Sequence, residues 1–259
     1  MGIAIIGGTG IDEMEIFISK QAISVSTRYG SADIIEGEYK GKRLFFLPRH
    51  GLEHFVPPAQ INYRAQIAAL KKLEVKRVIG VCAVGSLKND LVPGSFAVLK
   101  DFIDLTKHRK DTFFDTPGEP IVHTDFTHPY CPEISSALDQ SCANASALYE
   151  ANAVYVGVEG PRYESPAEIK LYNSWGAHVI GMTNLPEAVL AREAGLCYGA
   201  LGIVTNFASG ICSAPLAHDD VRRAVAQAGE ALIRILYSSI ENIAQSDDCM
   251  CQTNTGLVI

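Results

Sequence analysis

The chain alternates short apolar runs with longer segments that favour helices. Each apolar run bounded by glycine, proline or polar residues predicts a strand. Such runs occupy residues 2–6, 34–39, 42–47, 77–82, 95–103, 153–158, 177–182 and 197–205. Amphipathic spacing or strong helix formers predict helices over residues 61–73, 133–146, 186–194 and 219–243. Strands that alternate with helices in this way predict an α/β fold.

The 259 residues could form one or two domains, and no linker divides them. We therefore expect a single domain over residues 1–259, in which residues 245–259 are a polar tail. Residues 106–132 are polar and irregular, with four prolines and three histidines. Segments of this length without regular structure are usually functional or mobile.

Two of the predicted strands end in polar side chains. Thr183 follows the strand over residues 177–182, and Asn206 ends the strand over residues 197–205. Pro186 suits the first position of the helix between them, and Gly195 suits its C-terminal cap. Ligands of open α/β sheets bind outside the carboxyl ends of strands, so we expect the chemistry there.

Other strand ends carry groups that suit an anion. The first strand runs into a glycine-rich turn that contains Thr9, and a later strand delivers Arg49 and His50. A guanidinium offers a planar fork of donors to a phosphate dianion. Backbone N–H groups after residue 82 could join them. The glycine-rich turn alone has neither the GxGxxG nor the GK[ST] spacing, and an ordinary tight turn explains it equally well.

Metal binding is not expected. His50 and His54 lie in a loop where only Glu53 adds a carboxylate, and the seven cysteines contain no CxxC pair. Most cysteines are therefore expected to be small core residues. Cys249 and Cys251 form a CxC in the polar tail. We interpret them as two exposed thiols rather than a redox pair, unless the source is a hyperthermophile.

The charge of the chain bears on its partners. Acidic residues outnumber basic ones by 29 to 22, for a formal net charge of −7. This excess argues against a nucleic-acid partner. No apolar run reaches transmembrane length, and the N-terminus enters a strand without a leader pattern. We expect no membrane partner and a cytoplasmic location.

Several separated motifs resemble one family. They are GGTG, PRHG followed by INYRAQI, AVGSL, EGPRYES and GMTNLPEAVLAREAG, and together they span nearly the whole chain. This pattern is similar to the purine nucleoside phosphorylase and methylthioadenosine phosphorylase family, and most of all to its methylthioadenosine branch. The resemblance implies one domain with a central mixed β-sheet flanked by helices.

The resemblance also implies roles for individual residues. The phosphate site would comprise Thr9, Arg49, His50, Cys82, Ala83 and Thr183. The nucleoside would contact Tyr163, Met182, Asn206 and Ala208. Arg49, His50 and Asn206 would be the catalytic residues. Relatives more often have Ser or Thr at the position of Cys82, and a thiol is a weaker donor.

Three positions indicate the substrate class. The methylthioadenosine branch normally has Asp at the position of Asn206, but a carboxamide can accept from N7–H and donate to a 6-oxo group. Glu164 matches a residue that accepts N1–H in 6-oxopurine phosphorylases. His218 matches a residue that meets the ribose 5'-hydroxyl. Each position also has a purely structural interpretation. Glu164 could be a solvated carboxylate, and His218 could be a helix neighbour without function.

Together these features predict phosphorolysis of 6-oxopurine nucleosides, inosine and guanosine, to free base and ribose 1-phosphate in purine salvage. Phosphorolysis of S-methyl-5'-thioinosine or S-methyl-5'-thioadenosine is the alternative. Inorganic phosphate is the co-substrate, and no cofactor is expected. Relatives form trimers, which implies a homotrimer or a dimer of trimers in which residues 123–131 complete a neighbour's sugar pocket, with His123 nearest the 5' end. A nucleotide-binding oxidoreductase and a binding protein without catalysis are the rival classes.

Overall fold

The computed structural model describes residues 2–8, 20–53, 56–118, 121–212, 218–243, 249–253 and 257–258. Its main sheet contains β1 (Gly2–Gly7), β2 (Lys20–Thr27), β3 (Gly30–Tyr39), β4 (Lys42–Pro48), β5 (Val75–Ser86), β6 (Phe96–Asp104), β8 (Tyr149–Gly157), β9 (Val179–Gly181) and β10 (Cys197–Phe207). A small second sheet pairs β7 (Val122–His123) with β11 (Leu257–Val258). The helices are α1 (Tyr63–Lys72), α2 (Pro132–Asn144), α3 (Pro166–Ser174), α4 (Glu187–Glu193), α5 (His218–Asn242) and α6 (Met250–Thr253).

The main sheet is mixed, as expected. Its order is β10-β6-β8-β9-β5-β1-β4-β3-β2, and β10 also pairs with β5. That extra pairing closes β5, β10, β6, β8 and β9 into a ring. Strands β1, β4, β5 and β10 run parallel to one another, whereas β6, β8 and β9 run the opposite way. The carboxyl ends of β1, β4, β5 and β10 therefore meet at one edge.

Two apolar layers cover the sheet. Alternate residues of β1 point to opposite sides: Ala4 and Ile6 join the cluster that contains α1 and α4, whereas Ile3 and Ile5 join the cluster that contains α2 and α5. Side chains of successive strand residues face opposite sides, so a strand covered on both faces has a continuous apolar run. This explains why the unbroken apolar run of β1 is a buried strand. No helix among the described residues is long and apolar enough to cross a membrane.

Helix α3 was not predicted, although its start signal stands in the sequence. Ser165 caps the helix through its hydroxyl, which accepts from the Glu168 N–H, and the Glu168 carboxylate accepts from the Ser165 N–H. This reciprocal pair is a capping box, and Pro166 occupies the first turn. Because the helix has only nine residues, its apolar stripe was too short to stand out.

Three expected boundaries need correction. Pro186 is the N-cap of α4, and not its first helical residue. The C-cap of α4 is Ala194, one residue before the expected Gly195. Gly195 takes the left-handed position that follows the cap, with a φ of +68°. Strand β10 does not end before Asn206 but continues through it to Phe207, because Asn206 pairs with Gly85 after a register shift.

The expectation of exposed thiols in a polar tail is wrong. Cys249 and Cys251 are 3% and 2% exposed, respectively. Helix α6 and β11 lie within residues 245–259, which are therefore folded in part. Both cysteines belong to the apolar cluster that contains α2 and α5. The polar residues around them hid this burial, because their neighbours come from distant parts of the chain.

Candidate active site

A cavity of about 450 Å³ opens where the carboxyl ends of the four parallel strands meet. That volume lies in the usual range for small-molecule sites. It brings together ten residues that the sequence assigned to phosphate or nucleoside: Arg49, His50, Cys82, Ala83, Tyr163, Glu164, Met182, Thr183, Asn206 and Ala208. Their roles stay predictions, but their proximity is a structural fact.

Thr183 reaches this cavity for a different reason than the sequence suggested. It follows β9, which is antiparallel to β5, so the end of β9 runs back beside Ala83. A Cβ at Gly181 would lie 3.1 Å from the Ala83 carbonyl oxygen and 2.8 Å from the Tyr155 hydroxyl. The absence of a side chain at Gly181 therefore allows the two strands to approach closely enough to place Met182 and Thr183 on the cavity wall.

Arg49 lies at one end of the cavity and is 1% exposed. Its Nε donates to one Glu187 carboxylate oxygen at 2.7 Å, and Nη2 donates to the other at 2.9 Å. Burial alone would lower the pKa of Arg49, but the charge of Glu187 and these bonds outweigh burial and raise it. Arg49 is therefore a cation, and its two parallel bonds to Glu187 fix the plane of the guanidinium.

The donors of Arg49 are mostly used inside the protein. Nη1 also donates to the Val81 carbonyl at 2.9 Å, and Nη2 to the Ile6 carbonyl at 3.4 Å. Within the part of the chain that the structure describes, Nε makes one bond, Nη1 one and Nη2 two, which leaves one of the five N–H groups, on Nη1. Nη1 lies 3.5 Å from where a Cβ of Gly8 would stand, and Gly8 lines the cavity. Arg49 can thus offer the cavity one N–H beside the bare backbone of Gly8.

A buried chain of hydrogen bonds holds Glu187 in turn. The Tyr198 hydroxyl donates to Glu187 at 2.6 Å, the Asn184 amide donates to that hydroxyl at 2.8 Å, and the Tyr130 hydroxyl donates to Asn184 at 2.5 Å. A Cβ at Gly80 would collide with the Tyr198 hydroxyl. Fully satisfied buried networks of this kind fix one geometry, so the position of Arg49 is set by the core.

His50 adds a second group at the same end. Its Nδ1 lies 2.7 Å from the Val56 carbonyl oxygen, which can only accept, so Nδ1 carries a proton. Its Nε2 would lie 3.2 Å from a Cβ at Gly8, at the cavity wall. Nε2 accepts in the neutral ring and donates in the imidazolium.

Cys82 is a neutral thiol. It is 2% exposed, and burial raises its pKa to about 12 despite the nearby Arg49. A neutral thiol donates only weakly.

Asn206 lies towards the other end, because it pairs with Gly85, whereas Arg49 contacts the carbonyl of Val81, earlier along β5. Its side chain has a fixed orientation. Its Nδ2 donates to the Phe207 carbonyl at 3.0 Å, and its Oδ1 accepts from the Thr205 hydroxyl at 2.9 Å. The reverse orientation would set Oδ1 against the Phe207 carbonyl, two acceptors in contact, so it is excluded. After these two bonds, Asn206 keeps one N–H and one oxygen lone pair.

Glu164 also lines the cavity and is 8% exposed. Burial raises the pKa of its carboxyl group, Glu168 adds to the rise, and Arg162 opposes it. This burial excludes the alternative that Glu164 is a solvated carboxylate. Its neighbour Tyr163 lines the cavity but is 41% exposed, at the mouth.

Sequence reasoning missed two residues that position the site, Glu187 and Arg109. Glu187 lies in the first turn of α4, where an acid suits the helix N-terminus, yet it stands beside buried Ala188 in an apolar helix, which was the available signal. Arg109 lies in the irregular stretch, and its Nη1 donates to the carbonyl groups of Met182 and Leu185, both at 2.6 Å. Arg109 thus holds the backbone on both sides of Thr183.

Three predicted site residues are not placed in this cavity. Thr9, like His54, lies outside the described residues, and so does the side chain of His218, whose backbone begins α5. His123 is exposed on β7, pairs with Leu257 of β11 and is not among the residues that line the cavity.

Comparisons with known proteins agree with this geometry. Residues 2–241 match the family model described as the phosphorylase superfamily. The chain is 44% identical to a "Probable 6-oxopurine nucleoside phosphorylase" of Moorella thermoacetica, over 100% of this chain and 99% of that protein. It is 43% identical to a "Probable S-methyl-5'-thioinosine phosphorylase" of Methanothermobacter thermautotrophicus, over 96% and 87%.

A solved structure is similar over most of its length. The methylthioadenosine phosphorylase of Schistosoma mansoni, in complex with adenine, superposes with a TM-score of 0.90 at 30% identity, and the match covers 95% of this chain and 93% of that one. The expected mixed-sheet fold is thereby confirmed. The chain belongs to the phosphorylase superfamily.

Proposed function

We propose that this enzyme cleaves 6-oxopurine nucleosides, inosine and guanosine, with inorganic phosphate to give the free base and ribose 1-phosphate. One observation carries the proposal: a single cavity has Arg49 and His50 at one end and an oriented amide with a buried carboxylate, Asn206 and Glu164, in the same wall. The name of the Moorella thermoacetica relative supports this substrate class.

The hydrogen-bonding groups that Asn206 and Glu164 offer to the cavity match those of a 6-oxopurine. The second N–H of Asn206 can donate to the 6-oxo oxygen, and its second lone pair can accept from N7–H as the base leaves. Glu164 as carboxylate can accept from N1–H, a group that adenine lacks. Sites that hydrogen-bond a substrate group reject an analogue without it strongly, by roughly 10⁴-fold in favourable cases.

The phosphate end would supply the nucleophile. Phosphate held by the remaining N–H of Arg49, by His50 and by backbone N–H groups would approach C1' of the ribose. Its negative charge would stabilise the oxocarbenium-like sugar while electron density moves into the purine. The nucleophile is phosphate itself, so the proposed reaction requires no cofactor.

Methylthio-nucleosides are the second candidate class. Relatives of this chain are named for S-methyl-5'-thioinosine and for methylthioadenosine. S-methyl-5'-thioinosine carries the same 6-oxopurine, so Asn206 and Glu164 suit it equally, and only the 5' end of the sugar pocket separates it from inosine. His218 is the residue we propose for contact with a 5'-hydroxyl.

We further propose a homotrimer or a dimer of trimers in the cytoplasm, in which residues 123–131 of one subunit complete the sugar pocket of its neighbour. The exposure of His123, away from the cavity of its own chain, supports this arrangement. Activity should then fall when dilution separates the subunits. Full specific activity of a monomer, verified by light scattering, would contradict it.

The experiment is a substrate panel with and without phosphate: inosine, guanosine, adenosine, S-methyl-5'-thioadenosine and S-methyl-5'-thioinosine. We expect phosphate-dependent base release with the highest kcat/KM on inosine and guanosine. If kcat/KM is highest on S-methyl-5'-thioinosine, the enzyme belongs to the second candidate class, the methylthio-nucleoside phosphorylases. Base release that does not depend on phosphate, or none at all, would overturn the proposal.

A further inference from the structure

Four cysteines from distant parts of the chain meet outside the cavity. Cys131, Cys197, Cys249 and Cys251 are all buried, and their Sγ atoms all lie within 4.8 Å of one another. Cys131 is the N-cap of α2, Cys197 is the first residue of β10, and the other two lie at the start of α6. Three separate elements thus direct thiols to one point.

The spacing of these sulfur atoms fits a metal ion at their centre. A tetrahedral zinc ion with Zn–S bonds of about 2.3 Å holds its sulfur atoms about 3.8 Å apart. The Sγ atoms of Cys131 and Cys249 are 3.7 Å apart, which is one edge of such a tetrahedron. A disulfide would instead bring two sulfur atoms to about 2.05 Å.

The surroundings suit an anionic cluster. Arg77 is 0% exposed, and its Nη1 lies 2.9 Å from Cys197 Sγ and 3.0 Å from a Glu133 carboxylate oxygen. Four thiolates around one divalent ion carry a net charge of about −2. A buried guanidinium that donates to one of the sulfur atoms offsets part of that charge, as outer hydrogen bonds do in metal sites.

We propose that Cys131, Cys197, Cys249 and Cys251 form a structural zinc site that fastens the C-terminal segment to the sheet and to α2. Four thiolates close the coordination sphere and leave no open position, so the site is structural and not catalytic. All-thiolate ligation selects soft metals, among which zinc is the redox-inert choice. The expectation of no metal rested on the lack of a CxxC pair, but here only the CxC is local in sequence.

The site also has a consequence for β7. Strand β11 follows α6 and pairs with β7, where Leu257 lies opposite His123. Metal at the four cysteines anchors α6, which precedes β11 in the chain. This inference does not rest on the proposed function, because it concerns residues outside the cavity.

The test is the metal content of the full-length, untagged protein, purified under reducing conditions and measured by inductively coupled plasma mass spectrometry. We expect about one zinc ion per chain. The double variant Cys249→Ser/Cys251→Ser should hold roughly tenfold less or below. Cys142→Ala is the matched control, because Cys142 is buried outside the cluster, and it should keep the ion.

A second measurement covers the case in which the double variant fails to fold. Wild-type protein stripped of metal by a chelator under reducing conditions is titrated with Co²⁺. We expect saturation at one ion per chain, with the charge-transfer bands of tetrahedral cobalt–thiolate coordination. Reduced protein that binds neither metal, zinc content unchanged in the double variant, or disulfides among these four cysteines in protein kept from added oxidant would each overturn the proposal.

Discussion

The two ends of the cavity are built in opposite ways. At the Arg49 end, the cation proposed to bind phosphate pairs with Glu187, which a fully buried chain through Tyr198 and Asn184 holds in place. At the end proposed for the base, the side chain of Asn206 bonds, among the described residues, only to its chain neighbours Thr205 and Phe207. Substitutions at the Arg49 end therefore disturb the core, whereas substitutions at Asn206 have little effect on the rest of the fold.

We expect this difference to let one fold serve several purine substrates. The structure of a methylthioadenosine phosphorylase that binds adenine superposes on this chain with a TM-score of 0.90 at 30% identity. If phosphate binding belongs to the core and base recognition to side chains with local partners, substrate class can change by substitution at the base end. Variants at the two ends should therefore fail in different ways.

The largest effect is expected from breaking the Arg49–Glu187 pair. Glu187→Leu leaves the Arg49 charge buried and alone, and should lower the free energy of unfolding by about 3–5 kcal/mol. Arg49→Met should cost a similar amount, lose most activity and raise the phosphate KM. The double variant should regain most of the stability, because apolar replacements of buried pairs are often neutral, but it should not regain phosphate binding.

Urea unfolding and phosphate kinetics on the same four proteins check this. The exposed pair Arg43–Glu36 provides the control, since the double variant Arg43→Met/Glu36→Leu should change stability by about 1 kcal/mol or less. A double variant at Arg49 and Glu187 with the wild-type phosphate KM would show that Arg49 does not bind phosphate.

The next effect is expected from Asn206→Asp at the base end. The change replaces the donor proposed to face the 6-oxo oxygen by a second acceptor. The transition state for inosine should lose about 2–4 kcal/mol of stabilisation, and kcat/KM should fall accordingly. It also sets a carboxylate oxygen against the Phe207 carbonyl, at a site where Nδ2 now donates at 3.0 Å. Steady-state kinetics on inosine and guanosine test this, and an equal loss on adenosine would mean that Asn206 only packs.

A smaller effect, with a pH signature, is expected from Glu164→Gln. Only the carboxylate accepts N1–H well, and burial raises its pKa, so kcat/KM for inosine should fall as the pH drops through that raised pKa. At neutral pH the variant should lose roughly tenfold on inosine, about 1.4 kcal/mol, because N1–H then donates to a neutral amide oxygen and not to a carboxylate. Its acid limb should disappear.

Adenosine supplies the internal control for Glu164. A protonated Glu164 can donate to the unprotonated N1 of adenine, so acid should favour adenosine relative to inosine in the wild type. pH profiles of kcat/KM for both nucleosides measure this ratio. Parallel profiles in the wild type would contradict contact between Glu164 and N1.

Much of this arrangement could be predicted from the sequence, because it depends on local pattern. The apolar runs located most strands of the sheet, and the residues at their ends met in one cavity. What failed depends on contacts between distant residues. Nothing local distinguishes Glu187 as the partner of Arg49, 138 positions away. Burial of Cys249 likewise follows from α2 and β10, and not from its own polar neighbours.

The most direct test of the division between the two ends is one ratio, kcat/KM for inosine over that for adenosine, in the wild type and in Glu164→Gln/Asn206→Asp at saturating phosphate. We predict a ratio well above one in the wild type and a fall by roughly 10²-fold or more in the variant, with the phosphate KM unchanged. An unchanged ratio, or a phosphate KM that rises as the ratio falls, would contradict the account.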